Sequence, residues 1–389
     1  MSNENKSDNY KKALRFILLL GVVSLFADMT YESARSITGP FLQVLGADAA
    51  IVGMVTGFGE LVSYGLRFYT GWLADRTRKY WLLIIIGYGV NVLVVPFIGL
   101  APVWQIAAAL IITERLGKAI RTPARDALLS RATAVTGHGK GFGLHEAMDQ
   151  IGAITGPLII SGVFFWGGNY TMGFAVLFIP AVASLAVLIA ARSKYPQPRQ
   201  FETEEEKGEK SKNSHSFILY LIGIGLIALG FADFPLLAYH FKQVNLFSDQ
   251  GIPLVYAMAM AVDAVAGLGL GTLFDRWKRP VLVGGVIVTA GFAPLAFLGG
   301  KLWTILGVIL WGVGMGMIES VLRASVARMI PAGNRGRAYG IFNGVFGLAW
   351  FAGSSAAGWL YEINILGMVI FLVLAQLLAI PFLWKAFSR

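Results

Sequence analysis

The chain has 389 residues, of which 56% are hydrophobic and 14% charged, and it carries a formal net charge of +10. Soluble proteins carry about 25% charged residues, so this composition excludes an ordinary water-soluble enzyme, and its apolarity excludes a disordered chain. Cysteine is absent, which excludes disulfide bonds and thiolate metal sites. We therefore predict an integral membrane protein that is surrounded by a lipid bilayer.

Twelve apolar stretches follow one another along the chain, each close to the length of about 20 residues that a transmembrane helix needs. They begin near Phe16, Ala49, Tyr80, Val103, Phe142, Tyr170, Ser216, Pro253, Pro280, Trp303, Arg337 and Ile365. A single long polar segment divides them into two sets of six. The predicted fold is an all-α membrane protein with an N-terminal tail (1–15), a six-helix bundle (16–192), a linker (193–215) and a second six-helix bundle (216–385).

The basic residues alternate from loop to loop. Of the 32 lysines and arginines, 27 lie in the two tails, in the even-numbered loops or at the helix ends beside those loops, and only Lys242 and Lys301 lie in odd-numbered loops. Excess positive charge marks cytoplasmic loops. The pattern predicts a multi-pass protein of the cytoplasmic (inner) membrane with both termini in the cytoplasm. It also explains the net charge without a nucleic-acid partner.

The two predicted bundles share an internal repeat. Residues 71–83, GWLADRTRKYWLL, match residues 271–283, GTLFDRWKRPVLV, and Phe26-Ala27-Asp28 recurs as Phe231-Ala232-Asp233. Parallel six-helix halves that are related by an axis along the membrane normal are typical of transporters that rock around a central site. The repeat therefore predicts two pseudo-symmetric bundles.

The loop after helix 2 resembles the signature of the major facilitator superfamily, although it lacks the glycine that the signature has after Thr77. In that superfamily the motif holds the cytoplasmic side shut, so the resemblance implies a cytoplasmic latch, with a weaker copy after helix 8. The residues that carry this prediction are Gly71, Asp75, Arg76, Arg78, Lys79, Gly271, Asp275 and Arg276.

Helix 5 contains a second motif, built from Gly152, Gly156 and Pro157. It is similar to a degenerate form of the glycine-proline element of the drug–proton antiporter branch of the superfamily. The resemblance favours export over import.

Ionisable residues at membrane depth are costly and are therefore functional candidates. Asp28, Glu32 and Arg35 have the spacing that places side chains on one face of helix 1. The resemblance implies that helices 1, 4, 7 and 10 line a central cavity. We predict a proton relay or substrate pathway, with static buried ion pairs as the alternative. Its candidate residues are Asp28, Glu32, Arg35, Glu60, Glu114, Arg115, Asp233 and Glu319.

His145 and Asp149 are four residues apart on helix 5 and are weak candidates for a metal site. A hydrogen-bonded contact near the cytoplasmic end is the preferred interpretation, and we predict neither a bound metal nor a cofactor.

These features together predict a secondary active transporter that moves a small solute or ion by alternating access. We expect it to be coupled to protons, to act as an exporter and to be a monomer. An importer or a metal or metal-chelate exporter of the same fold is the first alternative. A non-transporting membrane sensor or scaffold is the second, and an enzyme is not expected.

Overall fold

The computed structural model describes residues 3–196, 214–330 and 335–387, which contain helices and no strand. Twelve helical rods run through this part of the chain. They are α1 (Asn3–Val44), α2 (Ala49–Thr77), α3 (Tyr80–Ile98), α4 (Trp104–Thr136), α5 (His138–Phe165), α6 (Tyr170–Lys194), α7 (Ser214–Leu229 and Phe234–Gln243), α8 (Gly251–Arg276), α9 (Lys278–Leu298), α10 (Lys301–Gly316, Met317–Leu322 and Arg323–Met329), α11 (Arg335–Ile363) and α12 (Ile365–Ala386).

The twelve predicted helices are confirmed, and ten of them are long and apolar enough to cross a membrane within the described ranges. The two that fall short are α4, which carries four charged side chains between 114 and 121, and α11. Two boundaries differ from the prediction. Residues 3–15 belong to α1, so the predicted tail is largely helical. Most of the predicted linker, 197–213, lies outside the described residues.

The helices form two halves, α1–α6 and α7–α12, that meet along three contacts. Helix α2 packs along α11, α5 packs along α8, and α1 packs against the second segment of α7. We call the end that holds the α2–α3, α4–α5, α8–α9 and α10–α11 connections the basic end, because the lysines and arginines concentrate there. The other end is called the opposite end.

The two halves are closely packed toward the opposite end. A Cβ atom on Gly53 would lie 2.2 Å from the carbonyl oxygen of Ser354, and one on Gly358 would lie 2.3 Å from the carbonyl oxygen of Ala49. These contacts bring the backbones of α2 and α11 together, as small residues do in membrane helix pairs. The amide of Ala49 also donates a 2.7 Å hydrogen bond to Glu362. The opposite end is therefore closed.

The halves diverge toward the basic end. Two adjoining cavities of about 640 and 790 Å³ lie there, and both are lined by Asp126, Phe142 and Arg323. The larger one reaches Asp75 at the end of α2 and Gly336 at the start of α11. The space between the halves is therefore open toward the basic end, while the opposite end is closed.

The glycine contacts predict how a mutation shifts the equilibrium between the states that are closed and open at the opposite end. In Gly53→Val the added side chain cannot fit against α11, so we expect the population to move away from the state that is closed at the opposite end. Because the chain has no cysteine, a Thr38→Cys reporter, which is buried between the halves, can be labelled alone with a membrane-impermeant maleimide. We expect its labelling rate to rise about tenfold, which corresponds to a shift of about 1.4 kcal/mol.

Gly65→Val is the matched control for this variant. It lies on the same helix, and its Cβ atom would meet only Leu61 of α2, at 3.8 Å. The labelling rate in this control should equal that of the Thr38→Cys reporter alone. Unchanged labelling in a folded, monodisperse Gly53→Val protein would show that this packing does not close the opposite end.

Candidate functional site

A network of charged side chains lies between the two halves, and Arg35 of α1 is at its centre. Its Nη2 atom lies 2.6 Å from Oδ1 of Asp233 on α7 and 3.5 Å from Oε1 of Glu60 on α2. Its Nη1 atom lies 3.8 Å from Oε2 of Glu32. Arg35 is 7% exposed and Asp233 is 1% exposed. The guanidinium therefore joins the N-terminal half to the C-terminal half in a buried environment.

Helix α4 extends the network away from Arg35. Arg115 lies 3.3 Å from Glu60 and 3.3 Å from its neighbour Glu114, and Lys118 lies 4.0 Å from Glu32. Helix α4 continues for about five turns beyond Lys118, so this lysine lies well inside the helix and beside Glu32. We call Glu32, Arg35, Glu60, Glu114, Arg115, Lys118 and Asp233 the central network.

A break in α7 brings Asp233 to Arg35. The first segment ends at Leu229, and Asp233 starts the second by accepting the amide of Phe234 at 2.9 Å. Aspartate is a favourable N-cap, and Pro235 in the first turn has no amide that needs a partner. Sequence analysis predicted one continuous helix here. The Asp-Phe-Pro sequence was the signal of a second helix start, and it was hidden within an otherwise apolar stretch.

The central network carries unequal numbers of positive and negative groups. It contains four carboxylates and three cations, so its formal net charge is one negative charge. Arg121 and Asp28 lie next to it and leave the difference unchanged. Arg121 reaches the network through Asn91, which accepts its Nε–H at 3.1 Å and donates to Glu114 at 2.6 Å. Each of the four carboxylates has a cation within 4.0 Å, but a net negative charge is costly at this depth, so the arrangement favours uptake of one proton or one cation.

Asp28 lies beside α5 rather than within the central network. A Cβ atom on Gly152 would lie 3.1 Å from its Cβ atom, and its Oδ1 atom accepts no hydrogen bond from the residues that the structure describes. On the same side, His145 lies 3.4 Å from Asp149 and 3.2 Å from the hydroxyl of Ser24. Across the described ranges, no group of three or more potential ligands is arranged to hold a metal ion.

Two further side chains were missed by sequence analysis. Tyr256 of α8 donates its hydroxyl hydrogen to Glu32 and so forms a second bond between the halves. Asn91 of α3 links Arg121 to Glu114. Neither residue type is unusual in a membrane helix, so nothing in the sequence separated these two from packing residues. Their role follows only from the positions of their neighbours.

Glu319 has no ion pair with the central network among the described side chains. It lies in the π-helical turn Met317–Leu322 of α10 and lines the 640 Å³ cavity with Asp263 of α8. Single π-helical turns within α-helices are frequent at functional sites, since the inserted residue changes the direction of the side chains around it. The structure therefore places six of the eight predicted pathway residues in the central network, Asp28 beside α5 and Glu319 at the cavity.

The predicted latch residues lie at the basic end, and no contact among the described residues joins them across the two halves in this conformation. Asp75, Arg76, Arg78 and Lys79 are exposed, and Asp75 accepts a hydrogen bond from Tyr80 at 3.1 Å. In the second copy, Asp275 lies 3.6 Å from Arg328 of its own half. Gly71 lies next to Pro123, and Gly271 lies next to Ser320.

The helix 5 motif is a packing contact with α1. A Cβ atom on Gly152 would lie 2.2 Å from the carbonyl oxygen of Leu25, and one on Gly156 would lie 2.4 Å from that of Met29. Pro157 lies within α5 directly after the second glycine. The motif therefore holds α5 against the face of α1 that carries Asp28.

The arrangement of two six-helix halves around a buried charge network agrees with the comparisons to known proteins. The profile of the Major Facilitator Superfamily matches residues 18–354. The chain belongs to the Major Facilitator Superfamily. It is therefore a multi-pass membrane transporter of a small-molecule substrate.

Individual relatives extend this finding. An uncharacterised protein of Mycobacterium tuberculosis strain H37Rv is 40% identical over 95% of this chain and 92% of its own length. The multidrug resistance protein MdtH of Photorhabdus laumondii is 25% identical over 83% of this chain and 80% of its own. The crystal structure of the nucleoside transporter NupG has the same fold, with a TM-score of 0.77 at 12% identity. The aligned part covers 96% of this chain and 100% of the NupG chain.

The loop motif generates a stability prediction. Arg78 has a φ of 54° and caps α2 in the left-handed conformation, at the position where the superfamily signature has glycine. That conformation costs a non-glycine residue about 1–2 kcal/mol. We expect Arg78→Gly to raise the thermal unfolding midpoint in detergent, by the equivalent of about 1 kcal/mol. Lys79 has a φ of −89°, so Lys79→Gly should not raise the unfolding midpoint. Equal effects of the two substitutions would contradict this explanation.

The central network generates a second prediction. Arg35→Gln leaves the carboxylate of Asp233 buried without its cation, so we expect it to lower the free energy of unfolding by about 3–5 kcal/mol. In the double variant with Asp233→Asn that carboxylate is gone, while asparagine still caps α7. Its unfolding midpoint in detergent should therefore lie above that of Arg35→Gln alone. Strictly additive losses would mean that the two side chains are not coupled.

Proposed function

We propose that this transporter exports a small organic solute across the cytoplasmic membrane of a bacterial-type cell in exchange for protons, and that it works as a monomer. In this proposal both termini and the basic end lie in the cytoplasm, as the distribution of lysine and arginine predicts. The cavity is then open to the cytoplasm in this conformation, which is the state in which an exporter takes up its substrate. The name of the relative MdtH, a multidrug resistance protein, also supports export.

The observation that carries proton coupling is the excess of one negative charge in the central network between the halves. Arg35 pairs with Asp233 across the interface, and Glu32 accepts from Tyr256 across the same interface. A proton that neutralises one of these carboxylates weakens the attraction that holds the halves together at this depth. Proton uptake would therefore change the relative stability of the two access states, which is the requirement for coupling.

The predicted residues divide into roles in this mechanism. In the central network, Glu32, Arg35, Glu60 and Asp233 would respond directly to the proton, while Glu114 and Arg115 hold Glu60 in position. Asp28 would exchange the proton with the aqueous side, because its Oδ1 atom accepts no hydrogen bond from the described residues and therefore has room for a proton. Glu319 would contact the substrate.

The exposed signature residues would form the latch of the alternative state. When the basic end closes, Asp75 and Arg76 of the N-terminal half approach the end of α10 and the start of α11. Asp275 and Arg276 would do the same toward α4 and α5. These contacts would replace the glycine packing of α2 against α11 that holds the opposite end closed.

The test compares wild type with Asp28→Asn in inside-out membrane vesicles whose interior is acidified by respiration. We expect the wild type to accumulate at least one member of a panel of cationic, neutral and anionic fluorescent dyes, and to lose this accumulation when an uncoupler is added. Asp28→Asn should retain its fold, judged by gel filtration, and lose the uptake that depends on the proton gradient. The physical reason is that an amide cannot carry the exchanged proton.

Asp48→Asn is the matched control. Asp48 is exposed at the opposite end and caps α2, and asparagine caps a helix equally well. Full proton-dependent accumulation by Asp28→Asn would reject the role of that residue. Substrate movement in the other direction would identify an importer, and a response to divalent metal salts alone would favour a metal exporter.

A further inference from the structure

The 640 Å³ cavity contains a second acidic group, separate from the central network. Glu146 of α5, Asp263 of α8 and Glu319 of α10 all line it. Helices α8 and α10 are in close contact here, since a Cβ atom on Gly316 would lie 2.6 Å from the amide nitrogen of Gly267. The amide of Gln150 brings α5 to the same place with a 3.4 Å hydrogen bond to Asp263. The group therefore joins both halves.

The charges of this cavity do not cancel. Arg125 and Asp126 also line it, but they pair with each other at 2.9 Å. Arg323 is then the remaining guanidinium among the charged side chains that line the cavity, and it faces three carboxylates. With these side chains ionised, the cavity wall therefore carries a formal excess of two negative charges.

A second, independent observation indicates a ligand. Asp263 is 2% exposed, and its Oδ1 atom accepts no hydrogen bond from the described part of the chain. The side-chain oxygen of Gln150, which lines the same cavity, has no donor there either. Buried acceptors without donors are costly, so two such atoms on residues that line one cavity fit a ligand that supplies N–H groups.

Most of the remaining wall is apolar. Leu129, Phe142, Ile151, Ile154 and Leu268 line it together with small residues of α8. A volume of about 640 Å³ lies in the range of sites for drug-sized organic molecules. A free metal ion fits this wall poorly, because no set of three metal-binding side chains converges within the described ranges.

We propose that the substrate is a protonated amine on an apolar body. Its N–H groups donate to Asp263 and Gln150, Glu319 and Glu146 supply the opposing charge, and the aliphatic and aromatic side chains contact the body. This inference rests on the proposed transport function for its biological meaning. Its test is an equilibrium binding measurement that needs neither a proton gradient nor transport, so the two can fail separately.

The probe pair isolates the N–H donor. The first probe is the protonated tertiary amine N,N-dimethyl-naphthylethylamine, whose single N–H can donate to Asp263. The second is its N-methylated quaternary ammonium analogue, which has the same charge and ring but no N–H. Binding to the detergent-purified full chain is measured by isothermal titration calorimetry. We expect the tertiary amine to bind at least about tenfold more tightly than the quaternary analogue, as a hydrogen bond to a charged group allows.

Three variants test the assignment of the residues. Asp263→Asn and Glu319→Gln should each weaken binding of the tertiary amine by about tenfold or more, and Ala264→Trp should block the cavity sterically. Glu362→Gln removes a carboxylate at the opposite end, where glutamine can still accept from Ala49, and should bind normally. If Asp263→Asn does not yield a monodisperse protein, binding of the tertiary amine to Glu319→Gln and Ala264→Trp tests the assignment of the site.

Three results would overturn the proposal. Equal affinities for the two probes would show that no N–H donor is needed. Unchanged affinity in folded Asp263→Asn and Glu319→Gln would mean that the acids share protons with each other instead of contacting a cation. Tighter binding of naphthylacetate, an anion with the same ring, would assign the site to Arg323.

Discussion

The buried guanidinium of Arg35 imposes the constraint on which the rest of this structure depends. An arginine remains protonated in a protein, and at membrane depth its charge must be paired. One partner, Glu60, comes from its own half, but the shortest contact is to Asp233 in the other half. This pairing requires three things at once. The halves must meet near α1 and α7, α7 must be interrupted before Asp233, and the cavity must open elsewhere.

Glycine packing makes such a contact possible without making the molecule rigid throughout. Within the halves, Gly152 of α5 fits against the backbone of Leu25 and Gly353 of α11 fits against that of Leu229, each at 2.2 Å for an added Cβ atom. These two contacts occupy equivalent places in the repeat and hold each half as a unit. The contact of Gly53 with Ser354 lies between the halves instead. Glycine-to-backbone packing thus makes each half rigid and also closes the contact between the halves.

The sequence was sufficient for the architecture because the relevant signals are long and repeated. Each apolar stretch extends over about 20 residues, and the alternation of basic loops confirms the count from an independent property. The motif after α2 was sufficient to recognise the superfamily. Because each of these signals depends on many residues, α4 could be predicted as a helix despite the charged residues within it.

The site was less predictable, because it depends on single residues and their depth. The eight predicted pathway residues are all ionisable groups in helices, and six of them belong to the central network. Lys118 was not among the predicted pathway residues, because the end of α4 could not be located from an apolar stretch that already contained charges. Tyr256 and Asn91 are ordinary polar residues whose partners come from distant segments. Pairing of this kind is a property of the packed helices, so no local pattern carries it.

Helix α8 connects the two groups of charges that the structure separates. Tyr256 and Asp263 are seven residues apart, which is about two turns or 10 Å along one face of a helix. The first donates to Glu32 of the central network, and the second lines the cavity. A substrate that pulled Asp263 toward the cavity would move α8, whose Tyr256 is bonded to Glu32. Under our proposals, the occupancy of the cavity and the charge state of the network would therefore act on the same rigid helix. Since α8 belongs to one half and Glu32 to the other, any coupling between them is expressed as a change in the contact between halves.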